Sequence, residues 1–513
     1  MTPVISVRRC VRGGDDRASQ HNRRAEPPLT QPVPVRQTSY ARGAAEEAAT
    51  AQTPPAPALG QTGPPVFTRT EVEQIDRLLP FIAYVDGQLS IDGVSGEQLW
   101  DGQRSLLLHV PSRAVDNYRS IRDAFAKYFS VSVNCAIKAC YLGPVLAALR
   151  DAGAGAEIAG ELEWRIARSL GFAADRTIVN GMSRQADHLQ MLLSDEGLLI
   201  DVDSMEEVQH LEWHARLAGA KPKVMVRVNP LPPDSFFSER SKLGVGADAA
   251  YELLEHVARS AHLELYGLHA HQLVRCTDPA QFGEIARRMG DLRTELAGRT
   301  GGRVSALDLG GGIEARYLLE RAGHSIADFA LAARDALAGS DGFELLLEPG
   351  RYVFGDAAVV LSRILGTKLK EGQHWHIAEV GSNLLPPTSD RAYPPLPLRI
   401  ADGTPWRRTH IADPTPTPAR LYLDAMLPAD VAGEGIALLG TGAYTAVRAS
   451  LWNAGLPDIG FIRDGAVEIV FDRKAQDETF RALYGIELGP MDAELEEPQA
   501  GAGEPLRARQ ACH

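Results

Sequence analysis

Four short segments carry residue types that could do chemistry together. Lys138 stands directly after Ala136 and Ile137 in the run CAIKAC. Burying a lysine at the end of an apolar run is costly. Desolvation lowers its pKa, which makes it a better amine nucleophile, and such an amine suits a Schiff base with an aldehyde. Gly310, Gly311 and Gly312 follow the apolar run ending in LDL. Backbone N–H groups without side chains can approach a phosphate closely. Glu348 closes the run LLLE and opens EPGR with Arg351. A carboxylate there needs a partner: a protonated ring nitrogen of a cofactor, or Arg351 itself as an internal pair. His269 and His271 stand two apart in LHAHQL, so in a strand both face one side. A metal would want a third ligand at comparable spacing; none can be placed, and no metal is expected. Stacking on a planar cofactor ring is the other functional use of an imidazole here.

These residues need a scaffold that brings them to one place. Eight apolar runs, at 129–137, 155–159, 177–180, 197–202, 222–228, 263–270, 303–309 and 343–348, alternate with amphipathic stretches such as 143–152, 204–217 and 279–298. Strand–helix alternation of this kind predicts βα units and a parallel sheet. Eight units are the arithmetic of a (β/α)8 TIM-type barrel, an α/β fold whose functional groups sit at the carboxyl ends of the strands. A doubly wound open sheet competes, but no GxGxxG turn follows the first strand. After residue 350 the runs are short and separated by Pro, Gly and Asp, which predicts a C-terminal all-β domain. The run at 104–110 is placed to supply one of its strands. The expected divisions are a disordered tail at 1–65, a segment at 66–112 contributing to the β domain, the barrel at 113–350, the β domain at 351–486 and a flexible tail at 487–513.

Composition narrows the class. The 513 residues carry 53 Lys+Arg against 66 Asp+Glu, a formal net charge of −13. That balance argues against a nucleic-acid or anionic-membrane binder. Residues 1–65 hold eight Arg, no Lys, five acids and ten of the 33 prolines. Such a stretch cannot bury enough apolar surface to offset its chain entropy. No apolar run reaches the ~18 residues of a membrane-spanning helix. Five cysteines lack CxxC spacing, which predicts neither a disulfide framework nor a Cys-type zinc site. A reducing compartment, the cytoplasm, is expected.

A lysine, a glycine loop, a carboxylate and a histidine at the ends of different barrel strands resemble the fold-type III pyridoxal-phosphate enzymes. The likeness is to the ornithine/diaminopimelate/arginine decarboxylase group, whose barrel is alanine racemase-like. It runs from about 105 to 470 and includes IDVDS at 200–204, RVNP at 227–230, SKLG at 241–244 and GAY at 442–444. The resemblance implies that Lys138 forms the internal aldimine with pyridoxal 5'-phosphate and that His271 stacks on the ring. It implies Glu157 near the lysine, Glu348 at the pyridinium nitrogen, and Gly310, Gly311, Gly312, Arg351 and Tyr444 at the phosphate. In such enzymes this part of the β domain reaches the barrel mouth of the partner subunit, so a homodimer with composite sites is implied. The implied activity is amino-acid decarboxylation by a carboxy-lyase.

The chain also departs from the family pattern. Glu157 stands for an Asp and Gly160 for a Ser in the strand-two motif, and Gln272, Leu273 and Val274 replace a Gly-Ser after the stacking histidine. The family's Gly-Pro-x-Cys-x-x-x-Asp stretch, whose Cys donates a proton to Cα, has no thiol here. Matching it to Thr417–Asp424 keeps Asp424 and puts Arg420 at the Cys; starting at Asp413-Pro414 puts Pro416 there and loses the Asp. Arg420 and Asp424 are therefore candidate substrate-binding residues, with Arg420 suited to clamp a carboxylate or phosphate, including one on a carrier-tethered substrate. The proton would then come from Tyr422, His271, water or the lysine. A racemase, epimerase or other lyase on the same scaffold, and a non-catalytic cofactor-binding homologue, are the alternatives.

Overall fold

The computed structural model describes residues 66–488 except 183, 231–240, 301–303 and 390. The tail expected at 1–65 and all but the first two residues of the one at 487–513 lie outside the described residues.

Three short strands, β1 (Ile82–Val85), β2 (Gln88–Ile91) and β3 (Val94–Ser95), form an antiparallel sheet of their own. β4 (Leu106–His109) leads into a helix, Pro111–Ala126, with Pro in its first turn. The barrel then follows: β5 (Ser130–Ala136), β6 (Gly155–Ile158), β7 (Thr177–Val179), β8 (Leu199–Val202), β9 (Lys223–Arg227), β10 (Glu264–His269), β11 (Ala306–Asp308) and β12 (Glu344–Leu347). They close in sequence order, all parallel, with β12 paired to β5. All eight expected runs are the eight barrel strands. The reason is physical: strands buried on both faces read as continuous apolar runs. One large core lies between strands and outer helices, built from residues such as Val133, Ile158, Ile200, Val226, Leu268 and Leu345. A smaller one, Ile178, Leu199, Met225, Ala306 and Leu346, fills the barrel interior.

Beyond the barrel, two β-sheets follow. β13 (Ala358–Ser362), β16 (Pro395–Pro397), β19 (Ile436–Leu438), β20 (Asp458–Arg463) and β21 (Ala466–Phe471) join β4 in a six-stranded sheet ordered β16-β19-β13-β4-β20-β21. The sheet ordered β14-β15-β17-β18 consists of β14 (Ile364–Lys370), β15 (Gln373–Ala378), β17 (Trp406–Ala412) and β18 (Arg420–Pro428). A barrel plus a C-terminal all-β region is therefore the fold.

Some elements escaped the sequence reading for identifiable reasons. The helix Pro111–Ala126 buries polar Arg113 and Asn117 on its inner face, which breaks the apolar periodicity. Both reach Asp356, at 2.8 Å from Arg113 Nη2 and 2.6 Å from Asn117 Nδ2. They tie this helix to the chain just after Arg351. β14 is mostly exposed, so it has no apolar face to detect. β18 is interrupted by Asp424 at φ 63°, and its pairing with β17 shifts register.

Candidate active site

Side chains alternate along a strand, so the residue two beyond each inward apolar residue also faces the barrel axis. Two past Ile178, Leu199, Met225, Ala306 and Leu346 come Asn180, Asp201, Arg227, Asp308 and Glu348. With Glu157 on β6 and His269 on β10 they form a polar layer above the apolar plug, at the carboxyl ends of the strands. All seven are buried.

The layer is wired together across the mouth. Lys138, in a short turn after β5, donates to Glu157 Oε1 at 2.6 Å. Asn180 Nδ2 donates both to Glu157 Oε1 at 3.1 Å and to Glu348 Oε1 at 2.7 Å. His269 Nδ1 lies 2.7 Å from Asp201 Oδ2, and its Nε2 lies 3.6 Å from Glu348 Oε2. His271 Nδ1 lies 3.8 Å from that same oxygen and accepts from the Gly311 N–H at 3.3 Å. His269, His271 and Glu348 thus offer donor atoms within 4.8 Å of one another, a grouping that the spacing alone had not revealed.

Charge in the layer is strongly perturbed. Burial disfavours the Lys138 ammonium, but Glu157 and then Glu348 outweigh it and hold its pKa above the ordinary lysine value. This corrects the expectation of a lowered lysine: the neighbouring carboxylates, not desolvation, decide the sign. Burial works against an ionised Glu348, yet His269, His271 and Lys138 keep its pKa below the usual carboxylate range. Burial also opposes a charged His269, and Asp201 followed by Glu348 overcomes it, raising the imidazole to about 9. His271 moves the other way, lowered chiefly by burial. Asp308 is pushed well up by burial and by Glu348, and its Oδ1 accepts from the Gly310 N–H at 2.7 Å.

The glycine loop is built for close approach. Gly310 sits at φ 65°, where L side chains are strained. A Cβ on Gly311 would lie 2.3 Å from the Glu348 carbonyl oxygen. Tyr444, at φ 60°, donates its N–H to the Ala139 carbonyl at 2.8 Å, and the Arg351 guanidinium lies over its ring at 5.1 Å. Tyr444 therefore stands at the barrel mouth of its own chain.

The donor set fits pyridoxal 5'-phosphate. Glu348 Oε2 is buried and has no hydrogen-bond partner within the protein, which leaves a carboxylate oxygen for a ring N–H. The loop without side chains at Gly310–Gly312 and the guanidinium of Arg351 suit a phosphate. The Lys138 amine, with 32% of its side chain exposed, is reachable by an aldehyde.

Lys138, Glu157, His271, Gly310, Gly311, Gly312, Glu348, Arg351 and Tyr444 are thus brought together. Arg420 and Asp424 are not. They lie on β18, where Asp424 Oδ2 faces Arg391 at 3.5 Å and its N–H donates to His410 Nδ1 at 3.0 Å. Tyr422 is buried among β-domain residues, near Arg321 and Arg391, with burial pushing its hydroxyl up to about 12. It is no proton source for Lys138's site in this chain. Asn180, Asp201 and Asp308 were missed as site residues. Their signal was the two-residue step beyond an inward apolar position.

A barrel with this lysine, glycine loop and buried carboxylate defines a pyridoxal-phosphate enzyme of the barrel-plus-β-domain class. A family model, pyridoxal-dependent decarboxylase, pyridoxal binding domain, matches residues 113–355. Diaminopimelate decarboxylase from Pseudomonas aeruginosa is 30% identical over 411 residues, covering 78% of this chain and 95% of that protein. The Aquifex aeolicus enzyme of the same name is 27% identical over 420 residues, covering 79% of this chain and 98% of that one. The crystal structure of diaminopimelate decarboxylase from M. jannaschii superposes with a TM-score of 0.74 at 21% identity, over 81% of this chain and 99% of that one. The chain belongs to the pyridoxal-dependent decarboxylase family. It is a carboxy-lyase that uses pyridoxal 5'-phosphate to decarboxylate an amino-acid substrate.

Proposed function

We propose that Lys138 is the residue that bonds the cofactor aldehyde, and that the polar layer around it sets the chemistry. The observation that carries this reading is the continuous contact chain Lys138–Glu157–Asn180–Glu348 across the barrel mouth. Glu157 and Asn180 fix the lysine and the buried carboxylate relative to each other. Glu348 would pair with the ring nitrogen. Gly310, Gly311 and Gly312 with Arg351 and Tyr444 would hold the phosphate, and His271 would lie against the ring. When bound, the cofactor supplies a conjugated ring that accepts the electron pair left on Cα as CO2 departs.

A proton must then return to Cα. The buried thiols are poor donors: burial pushes Cys140 up to about 12 and raises Cys276. Lys138 and His271 combine exchangeable protons with partial exposure at the mouth, 32% and 28%. We assign the proton return to one of these two.

For the substrate we favour an amino acid with an acidic far end, as in the diaminopimelate of the relatives. Arg448 lines one chamber with Tyr393 and Tyr444 beside the site, where Arg351 is given to the phosphate and Arg275 is paired with Glu314 at 2.7 Å, and a guanidinium suits carboxylate recognition. Arg420, exposed on β18, acts from a partner subunit in a homodimer with composite sites, with Asp424 four residues further along the strand, and a carrier-tethered acid is a further form it would accept. Among the described residues no helix is long and apolar enough to cross a membrane, and the three described cysteines are free and buried; the proposed location is the cytoplasm. A panel of free and carrier-bound amino acids, read by CO2 release and mass spectrometry of the amine product, tests the reading. Turnover of acidic substrates supports it. Turnover confined to substrates without an acidic group refutes the substrate assignment, and exchange of the Cα proton in deuterated water without CO2 release refutes the role given to the layer.

A further inference from the structure

The polar layer contains a histidine that the scheme above does not use. His269 is fully buried, on the strand next to β9 and two residues before His271. Asp201, from β8, is not its strand neighbour; it reaches past β9 to place Oδ2 2.7 Å from His269 Nδ1. That contact fixes a proton on Nδ1. The other ring nitrogen, Nε2, points at Glu348 Oε2 at 3.6 Å, and neither atom has a hydrogen-bond partner in the protein. A neutral ring in this orientation would set an unshared pair against a buried carboxylate, an uncompensated arrangement. A doubly protonated ring resolves it by standing between two anions.

We propose that Asp201 and His269 form a buried positioning pair that holds Glu348 as an anion, so that the proton between Glu348 and the cofactor's ring nitrogen resides on the ring. The proposal rests on the assignment of Glu348 to that nitrogen. The titratable and charged groups around the imidazole are Asp201 on β8, Asp308 on β11 and Glu348 after β12, with Arg227 in register beside it on β9. Lys138 and His271 act on Glu348 from the solvent side. The raised imidazole described above agrees with this arrangement. Its effect on the ring proton has a definite sign. His269 lies against Glu348, so its positive charge favours the separated form, ring N–H with carboxylate, over the neutral form with the proton on Glu348.

The test is nuclear magnetic resonance with two labels. In the protein carrying 15N-histidine, without cofactor, both His269 ring nitrogens are expected to be protonated at pH 7. A single neutral tautomer overturns the proposal. In holoenzyme loaded with pyridoxal phosphate labelled at the ring nitrogen, the wild type is expected to give a protonated-ring signal. His269→Gln is expected to move that signal toward the unprotonated value, with at least about a tenfold change in the proton ratio, equivalent to one pH unit. Asp201→Asn is expected to shift it the same way by less, and it serves if His269→Gln does not fold. An unchanged ring signal in a folded, cofactor-loaded variant overturns the proposal. Failure of Lys138 to take up cofactor would instead refute the functional reading, and the histidine measurement would still decide the charge state of the pair.

Discussion

Replacing Gly311 by alanine perturbs the glycine loop at one atom. The new Cβ would stand 2.3 Å from the Glu348 carbonyl oxygen, whereas ordinary contact begins at 3.4 Å. The shortfall is about 1.1 Å, and the obstructing atom is backbone, so the loop or the end of β12 must move. Overpacking of this kind costs about 1–3 kcal/mol, a fall in Tm of roughly 1–3 °C for a chain of this size. The second consequence is functional. Displacing the loop shifts the phosphate cradle and breaks the Gly311 N–H bond to His271 Nδ1. Losing one hydrogen bond to a charged group costs about 1.5–3 kcal/mol, so cofactor affinity should fall by roughly 10–100-fold. Titration of the cofactor-free protein, followed by absorbance, measures the affinity, and a thermal melt measures the stability. Gly366→Ala is the control, because a Cβ there meets nothing within 4 Å. If Gly311→Ala binds cofactor like the wild type and melts at the same temperature, the steric argument for a phosphate loop is wrong.

Other perturbations test other links. Arg113→Ala should strand the buried Asp356 carboxylate and cost about 3–5 kcal/mol, seen as a large drop in the denaturant midpoint, whereas replacing both partners by apolar residues should cost less. Raising the pH should destabilise the cofactor-free protein: with His269 near 9 folded and near 6.5 unfolded, its contribution is fully present below about 6.5 and lost as pH rises through about 9. Thermal melts from pH 6 to 10 check that sign; a flat profile in that window contradicts it. Arg420→Cys should change substrate preference, scored by competing acidic and neutral amino acids in one reaction. Equal preference before and after would remove Arg420 from substrate recognition.

How far the sequence was legible follows from what each part must satisfy. Barrel strands are buried on both faces, so they stand out as apolar runs between amphipathic helices. The helix Pro111–Ala126 did not, because it spends part of its inner face on Arg113 and Asn117 for a polar bond to Asp356. β18 did not, because Asp424 breaks its alternation. In the site, Lys138, Gly310–Gly312 and Glu348 were legible because each is costly or conspicuous at a strand end. Asn180, Asp201 and Asp308 were not, since a single polar residue after an apolar run reads as a turn; only barrel closure shows that they face one another. The direction of the Lys138 shift could not be read either, because it depends on Glu157 and Glu348, which are distant in sequence.

The function proposed above requires the cofactor to be bonded to Lys138. Borohydride reduction of the holoenzyme, followed by proteolysis and peptide mass spectrometry, tests it directly. A single pyridoxyl-modified peptide is expected, with the modification on Lys138 and absent from Lys138→Ala. Modification at a different lysine, or the same modification persisting in Lys138→Ala, would contradict it.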